Sequence, residues 1–253
     1  MTHGSLFSGI GGFELGAQWA LIPTLWNCEI EPHNREVLKR HFPDTYQYTD
    51  ITTMETPPYV DIISGGFPCQ DISFANVSNK KIYGTNNVGI NGERSSLWRE
   101  MWRICRDVRP RYILIENVAA LAFRGLEYVL CDLAQIGYDA QWQTIHAEAF
   151  GYPHRRKRLF IAAYPSHTRR TLWSAPFFRS LQEVFPEKAP AKAPISLPLK
   201  RYGRDTDYSD VQLRDGFSAQ LVKRPIEQFG NAVIPEIAYY LFECVKHHRE
   251  LTE

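Results

Sequence analysis

Four short clusters in this chain carry side chains and spacings suited to chemistry. The run Phe7-Ser8-Gly9-Ile10-Gly11-Gly12-Phe13-Glu14 joins a strand pattern to a helix pattern through glycines. Glycines let the backbone turn sharply and approach a ligand, and a helix start offers unpaired N–H groups. Glu29 ends the next strand pattern, eighteen residues beyond Gly11, where an acid can accept from ribose hydroxyls as in dinucleotide sites. Glu14 stands where the third glycine of that fingerprint would be, and a purely structural glycine turn explains the run as well. The second cluster, Gly65-Gly66-Phe67-Pro68-Cys69-Gln70, follows the apolar run Val60–Ser64. Ligands of open α/β sheets bind beyond the carboxyl ends of strands, so Cys69 is placed to attack as a thiolate. The plainer reading is a small buried hydrophobe.

The third cluster, Glu116-Asn117-Val118, ends the apolar run Tyr112–Ile115. A carboxyl at an apolar strand end has its pKa raised and suits proton donation; capping or ion pairing is the alternative. The fourth is His154-Arg155-Arg156-Lys157-Arg158, ahead of the strand pattern Leu159–Ala163. Arg156 and Arg158, two apart on an extended segment, point to one side and suit phosphate or a base carbonyl, unless they form only a solvated basic edge.

These clusters need a frame. Strands are expected at Ser5–Phe7, Thr24–Cys28, Val60–Ser64, Tyr112–Ile115, Ala140–His146 and Arg158–Ala163, with helices at Gly12–Ala20, Pro32–His41, Leu97–Val108 and Gly125–Ile136. Pro32 suits a first helical turn, and Pro110 and Gly137 fall just past helix ends. The alternation predicts an α/β fold with a mostly parallel sheet covered on both faces. After Tyr164 prolines and basic residues take over, with an Ala/Pro linker at Lys188–Leu199, and a helix pattern resumes at Pro235. The expected organisation is an α/β domain over 1–164, a small basic region over 165–225, and a C-terminal helical segment over 226–253.

The chain has 253 residues and a net charge of +1, an ordinary globular composition. That excludes collagen-like and disordered classes. The near-zero sum conceals an asymmetry. Gly151–Arg204 holds twelve Lys/Arg against two acids, a local charge of +10 that leaves −9 for the remainder. An acidic body with one basic stretch fits a domain that meets a polyanion on one side. The five cysteines are scattered without a CxxC pair, so neither a disulfide framework nor a zinc site is expected, and no metal. Cys105, Cys131 and Cys244 fall on helix patterns and read as core. With no long apolar run and no secretory leader pattern, neither a membrane span nor export is expected, which places the chain in a reduced cytoplasm.

In order and joint spacing the four clusters, with Gly230-Asn231-Ala232-Val233, resemble the DNA cytosine-5 methyltransferases over most of the chain. The resemblance implies a Rossmann-like S-adenosylmethionine-dependent fold, with 1–164 as the catalytic and cofactor-binding domain, 165–225 as a small target-recognition region, and 226–253 as a helix returning to the catalytic domain. It implies that Phe7, Gly9, Gly11, Pro68, Asn231 and Val233 line the S-adenosyl-L-methionine site, with Glu29 on the ribose. Asp50 and Ile51 would flank the adenine, and Leu97 would pack on it. Cys69 would be the nucleophile toward C6 of a flipped cytosine, Glu116 the hydrogen-bond donor to N3, Arg158 the contact to O2, and Arg156 its support. Gln70, Ser73, Lys80, Lys81, Arg155, Arg169, Arg170, Lys200 and Arg201 are the implied DNA contacts, within wider segments at Trp173–Arg179 and Lys200–Arg214. The implied partner is double-stranded DNA, with a restriction endonuclease acting separately in restriction–modification or phage DNA protection, and the implied state is a monomer.

Three features depart from the family pattern: His154 where Gln is usual, a long Cys69–Arg94 segment, and only about sixty residues for target recognition. The rival readings are a transfer-RNA cytosine-5 methyltransferase, a binding module without turnover, and a nicotinamide oxidoreductase. The last lacks its third glycine and leaves Pro68-Cys69-Gln70 unexplained.

Overall fold

The computed structural model describes residues 1–68, 96–152, 156–166, 177–179, 184 and 232–251. Its elements are β1 (His3–Leu6), α1 (Gly12–Trp19), β2 (Thr24–Cys28), α2 (Pro32–His41), β3 (Tyr46–Tyr48), β4 (Ile62–Gly65), α3 (Ser96–Val108), β5 (Tyr112–Val118), α4 (Leu126–Gln135), β6 (Tyr138–His146), β7 (Lys157–Pro165) and α5 (Pro235–Glu250). The strands form one seven-stranded sheet in the order β3-β2-β1-β4-β5-β7-β6. Neighbours from β3 to β5 pair in parallel, and β7 runs antiparallel to both β5 and β6. The expected mostly parallel α/β sheet is therefore present, with β7 as the reversed strand.

The strands near the middle read as continuous apolar runs because both faces are covered. Along β5, Ile113 and Ile115 join the core beneath α3 and α4, while Tyr112 and Leu114 join the core beneath α1 and α5. β7 repeats the alternation, with Leu159 and Ile161 on the first face and Phe160 and Ala162 on the second. By the same period of two, Glu116 falls on the α5 face and Asn117 on the α3 face.

The last helix returns to the first through glycines. A side-chain carbon on Gly12 would lie 2.2 Å from the Val233 carbonyl oxygen, and one on Gly16 would lie 2.5 Å from the Ala238 methyl. Only glycine at these positions lets α5 lie this close to α1 and start beside the first strand-end loop.

The structure also corrects several expectations. β3 is an additional strand that its short polar sequence does not announce. β1 ends at Leu6, so Phe7 lies in the turn with φ +54°. Cys131 is exposed. α4 buries Leu126, Val129 and Leu133, and at about 100° per residue position 131 faces away from that stripe. Cys105 and Cys244 are buried as expected.

Phe177, inside the segment expected to touch DNA, is fully buried. It packs on Tyr112 and His248, and its N–H donates to Gln141 Oε1 at 3.0 Å. Tyr112 begins β5 and His248 lies near the end of α5. Phe177 therefore anchors the chain at the end of the sheet opposite Glu116.

Candidate active site

The rim at the carboxyl ends of β1, β2, β4 and β5 collects the clusters. At β1 the chain leaves the strand through three residues with positive φ: Phe7 at 54°, Gly9 at 56° and Gly11 at 93°. A side-chain carbon on Gly9 would meet nothing within 4 Å, so this stretch of backbone borders open space. Its N–H donates to Glu29 Oε2 at 2.6 Å, and the Glu31 N–H donates to Glu29 Oε1 at 2.9 Å. Both carboxylate oxygens are thus fixed by backbone, and each keeps further lone-pair capacity. Burial raises the Glu29 pKa, while those N–H bonds hold it down. Arg35 adds a brace from outside, its guanidinium donating to the carbonyls of Glu29 and Ile30.

Beneath this loop lies Glu14, completely buried in the first turn of α1 next to Ser5 and Ser8. Burial raises its pKa to about 7. Farther along the rim, Asp50 Oδ1 accepts from the Thr52 amide at 2.9 Å and the Thr52 hydroxyl at 2.8 Å, a local turn that orients the carboxylate. Ile51 is buried, and Leu97 packs against the same core at the start of α3. Arg103, two turns along α3, donates through Nη2 to the carbonyls of Ile51 at 2.9 Å and Met54 at 3.0 Å. Its Nε pairs with Glu100 at 2.8 Å.

The other half of the rim is built from charge. Glu116 faces Phe160 directly across the antiparallel β5–β7 pair, which makes Arg158 its diagonal neighbour on the same face. Arg158 Nε lies 2.9 Å from Glu116 Oε1, and Arg156 Nη2 lies 3.8 Å from it. The predicted shared side of Arg156 and Arg158 is thus observed, and its object is Glu116. Ile145, Phe160, Val233, Ile234 and Ile237 wall the small cavity that these three charged groups enter. Burial raises the Glu116 pKa, and the two guanidiniums oppose the rise. The same burial lowers the Arg156 pKa to about 10.

Asn117, on the opposite face of β5, is buried, and its Nδ2 donates to the Phe67 carbonyl at 3.1 Å. A side-chain carbon on Gly66 would sit 2.9 Å from Glu116 Oε2. The Gly65–Pro68 segment and the Glu116 strand therefore touch through a glycine and an asparagine amide.

Of the expected site residues, Phe7, Gly9, Gly11, Glu29, Asp50, Ile51, Pro68, Leu97, Glu116, Arg156, Arg158 and Val233 lie within the described structure. All belong to the rim or to segments bonded to it, with Val233 on the cavity beside Glu116. Cys69, Gln70, Ser73, Lys80, Lys81, Arg155, Arg169, Arg170, Lys200, Arg201 and Asn231 lie outside the described residues, as do His154, the segment Lys200–Arg214 and nearly all of the basic region 165–225. Sequence reasoning gives no role to Ile30 or Arg103, and it names Asn117 only as a member of the third cluster. Ile30 is 63% exposed directly after Glu29, and an apolar residue next to an acid at a strand end is the available signal. Arg103 offers none, because its acceptors are backbone carbonyls some fifty residues away.

Among the described residues, no helix is long and apolar enough to cross a membrane. Similar proteins sharpen the picture. The type II methyltransferase M2.BsuMI of Bacillus subtilis (strain 168) is 35% identical over 167 residues, 63% of this chain and 41% of that protein. M.NgoBV of Neisseria gonorrhoeae is 33% identical over 175 residues, 62% of this chain and 39% of its own length. The chain thus spans about two fifths of the length of these curated relatives. In fold it is similar to the Dnmt2 methyltransferase of S. pombe (TM-score 0.56, 18% identity, covering 91% of this chain and 65% of that one). It is also similar to a putative DNA modification methyltransferase encoded within an E. coli prophage (TM-score 0.54, 22% identity, 73% and 50% covered). The profile of the C-5 cytosine-specific DNA methylases matches residues 1–218. With that match over most of its length, and with a glycine turn, a paired buried glutamate and a returning helix on one sheet, the chain belongs to the C-5 cytosine-specific DNA methylase family.

Proposed function

We propose that this chain transfers a methyl group from S-adenosyl-L-methionine to C5 of a cytosine swung out of duplex DNA, with Cys69 as nucleophile. The observation that carries this reading is the buried Glu116 carboxyl at the end of β5, held by Arg158 at 2.9 Å. One residue on, Asn117 grips the loop two residues before Cys69.

The residues of the first half fit the cofactor. Gly9 borders open space, Glu29 keeps acceptor capacity for ribose hydroxyls, and the exposed Ile30 offers an apolar face beside it. Phe7, Gly11, Pro68, Asn231 and Val233 would close the site. Asp50, Ile51 and Leu97 would flank the adenine, with Asp50 Oδ2 left to meet its amino group. The bound cofactor supplies the methyl group as an electrophile on a sulfonium sulfur.

The chain's own residues do the rest. The Cys69 thiolate forms a bond to C6, and the C5=C6 electrons move toward N3 and O2. Glu116 in its protonated form, which burial favours, donates to N3, and Arg158 donates to O2 with Arg156 behind it. C5 is then nucleophilic enough to accept the methyl group. Loss of the C5 proton to water restores the double bond and expels Cys69. The cavity walls of Ile145, Phe160 and Ile237 keep water from Glu116. The basic region 165–225 serves as the target-recognition element through Arg169, Arg170, Lys200 and Arg201, while Lys80, Lys81 and Arg155 from the catalytic domain add phosphate contacts and Gln70 and Ser73 lie near the flipped base. The likeness to type II methyltransferases supports a place in restriction–modification, with a restriction endonuclease acting separately.

The test is a mechanism-based trap. Duplex DNA carrying 5-fluorocytosine forms a covalent adduct with the chain and cofactor, and Cys69→Ser abolishes it. An adduct on transfer RNA alone overturns the DNA reading, and no adduct on either overturns turnover.

A further inference from the structure

Arg103 reaches from α3 across to the loop after β3. It lies six residues beyond Leu97 on the same helix, and its Nη2 donates to both the Ile51 and the Met54 carbonyls, at 2.9 and 3.0 Å. Its Nε is turned by Glu100 at 2.8 Å, one helical turn earlier. The side chain is about a quarter exposed, so the contacts are partly shielded from water. Ile51 and Met54 are buried in the core that Leu97 also packs against. The planar fork of an arginine can hold two carbonyls in fixed directions, which an ammonium on a flexible stem does less well.

We infer that Arg103 is a positioning residue that sets the distance between the two walls of the adenine end of the site, the Leu97 wall and the Asp50–Ile51 wall. The inference rests on the proposed cofactor reading and adds to it a residue that touches no ligand. Asp50 is oriented locally by Thr52, but that turn does not relate it to α3. Arg103 supplies the relation, because a rigid helix links it to Leu97 and its two bonds close the loop on Ile51. A cofactor whose adenine amino group must meet Asp50 while its ring lies on Leu97 depends on that spacing. Shifts near 1 Å are costly in such sites.

The experiment measures binding of S-adenosylhomocysteine and of S-inosylhomocysteine, which lacks the adenine amino group, by calorimetry on the whole chain. Wild type prefers S-adenosylhomocysteine. Arg103→Met weakens its binding about tenfold and loses most of the preference, while duplex DNA affinity is unchanged. Arg103→Lys recovers part of both, and Glu100→Gln gives a smaller loss in the same direction. A folded Arg103→Met that keeps wild-type affinity and preference overturns the inference, as does equal weakening for both ligands. Where Arg103→Met fails to fold, wild-type preference in both Arg103→Lys and Glu100→Gln overturns it equally. A wild type that binds neither ligand instead overturns the cofactor reading itself.

Discussion

Glu29 and Glu116 are both buried carboxyls at the carboxyl ends of parallel strands, yet the two halves of the rim hold them differently. Glu29 is gripped by main-chain N–H groups of Gly9 and Glu31, and its nearby arginine, Arg35, reaches carbonyls. Glu116 is gripped by the guanidiniums of Arg158 and Arg156, supplied by a strand that runs the other way. Backbone donors on a glycine turn form a fixed cradle with little charge of its own. Side-chain donors at the start of β7 and just before it form a charged, largely buried cluster, where a partner brought into the site competes for the same guanidiniums. The first arrangement suits binding a ligand in one pose. The second suits stabilising charge as it develops.

The sharpest way to break this contrast is to neutralise each glutamate without changing its shape. Glu116→Gln lowers kcat by about 10²- to 10⁴-fold and leaves S-adenosylhomocysteine affinity intact. Glu29→Gln does the reverse, weakening the cofactor about tenfold with kcat at saturation preserved. Steady-state kinetics with calorimetry checks both, and equal effects on cofactor affinity dissolve the distinction.

Glu14 sharpens the comparison from beneath the backbone cradle. In the fold it ionises near pH 7, against 4.5 for its ordinary value. Between these values the folded state keeps a proton that the unfolded chain has lost, so stability falls as pH rises through that window. The loss is on the order of 3 kcal/mol by pH 8. Glu14→Gln removes that slope and is more stable than wild type at pH 8, with the gap closing toward pH 4, in urea titrations across pH. The buried His3, lowered to about 3, and His248, lowered to about 4, destabilise the acid side in both proteins alike and cancel in the difference. A pH-independent gap refutes the role given to Glu14.

The smallest effect tests the link between the halves. Gly12→Ala gains at most part of the interior helix-propensity difference of about 1 kcal/mol, since Gly12 opens α1, and its methyl carbon would meet the Val233 carbonyl at 2.2 Å. The expected net result is a destabilisation of about 1–3 kcal/mol, read as a lower urea midpoint. An unchanged or higher midpoint shows that α5 yields easily and does not fix the Glu116 cavity.

Much of this is legible in the amino-acid sequence. β2 and α2 fall at their expected limits, since Pro32 starts the helix and the apolar run ends at Cys28. The glycine turn, Glu29 and Glu116 stand out because their chemistry is local: a turn needs glycine, and a strand end needs a polar residue to leave the core. β3 is not legible, being three half-exposed residues whose pairing depends on β2. Cys131 reads as core, against its exposure, because periodicity marks a helix more firmly than it marks which face is inward. Phe177 reads as a DNA contact because its basic neighbours outweigh an aromatic whose pocket is made by Gln141, Tyr112 and His248, each distant in the chain.

The sequence by itself singled out the candidate residues and the strand ends beside them, because glycine turns, a Pro-Cys loop and apolar runs are written in adjacent residues. The tertiary structure alone decided what surrounds them. Reversal of β7 brings Arg158 onto Glu116, the fit of α5 against Gly12 and Gly16 sets Val233 and Ile237 over that carboxyl, and Arg103 ties Ile51 to α3. Those contacts join residues tens to hundreds of positions apart, and their partners are backbone atoms and apolar surfaces that any well-packed core offers. Which of them meet is fixed only when two layers of helices close on one sheet.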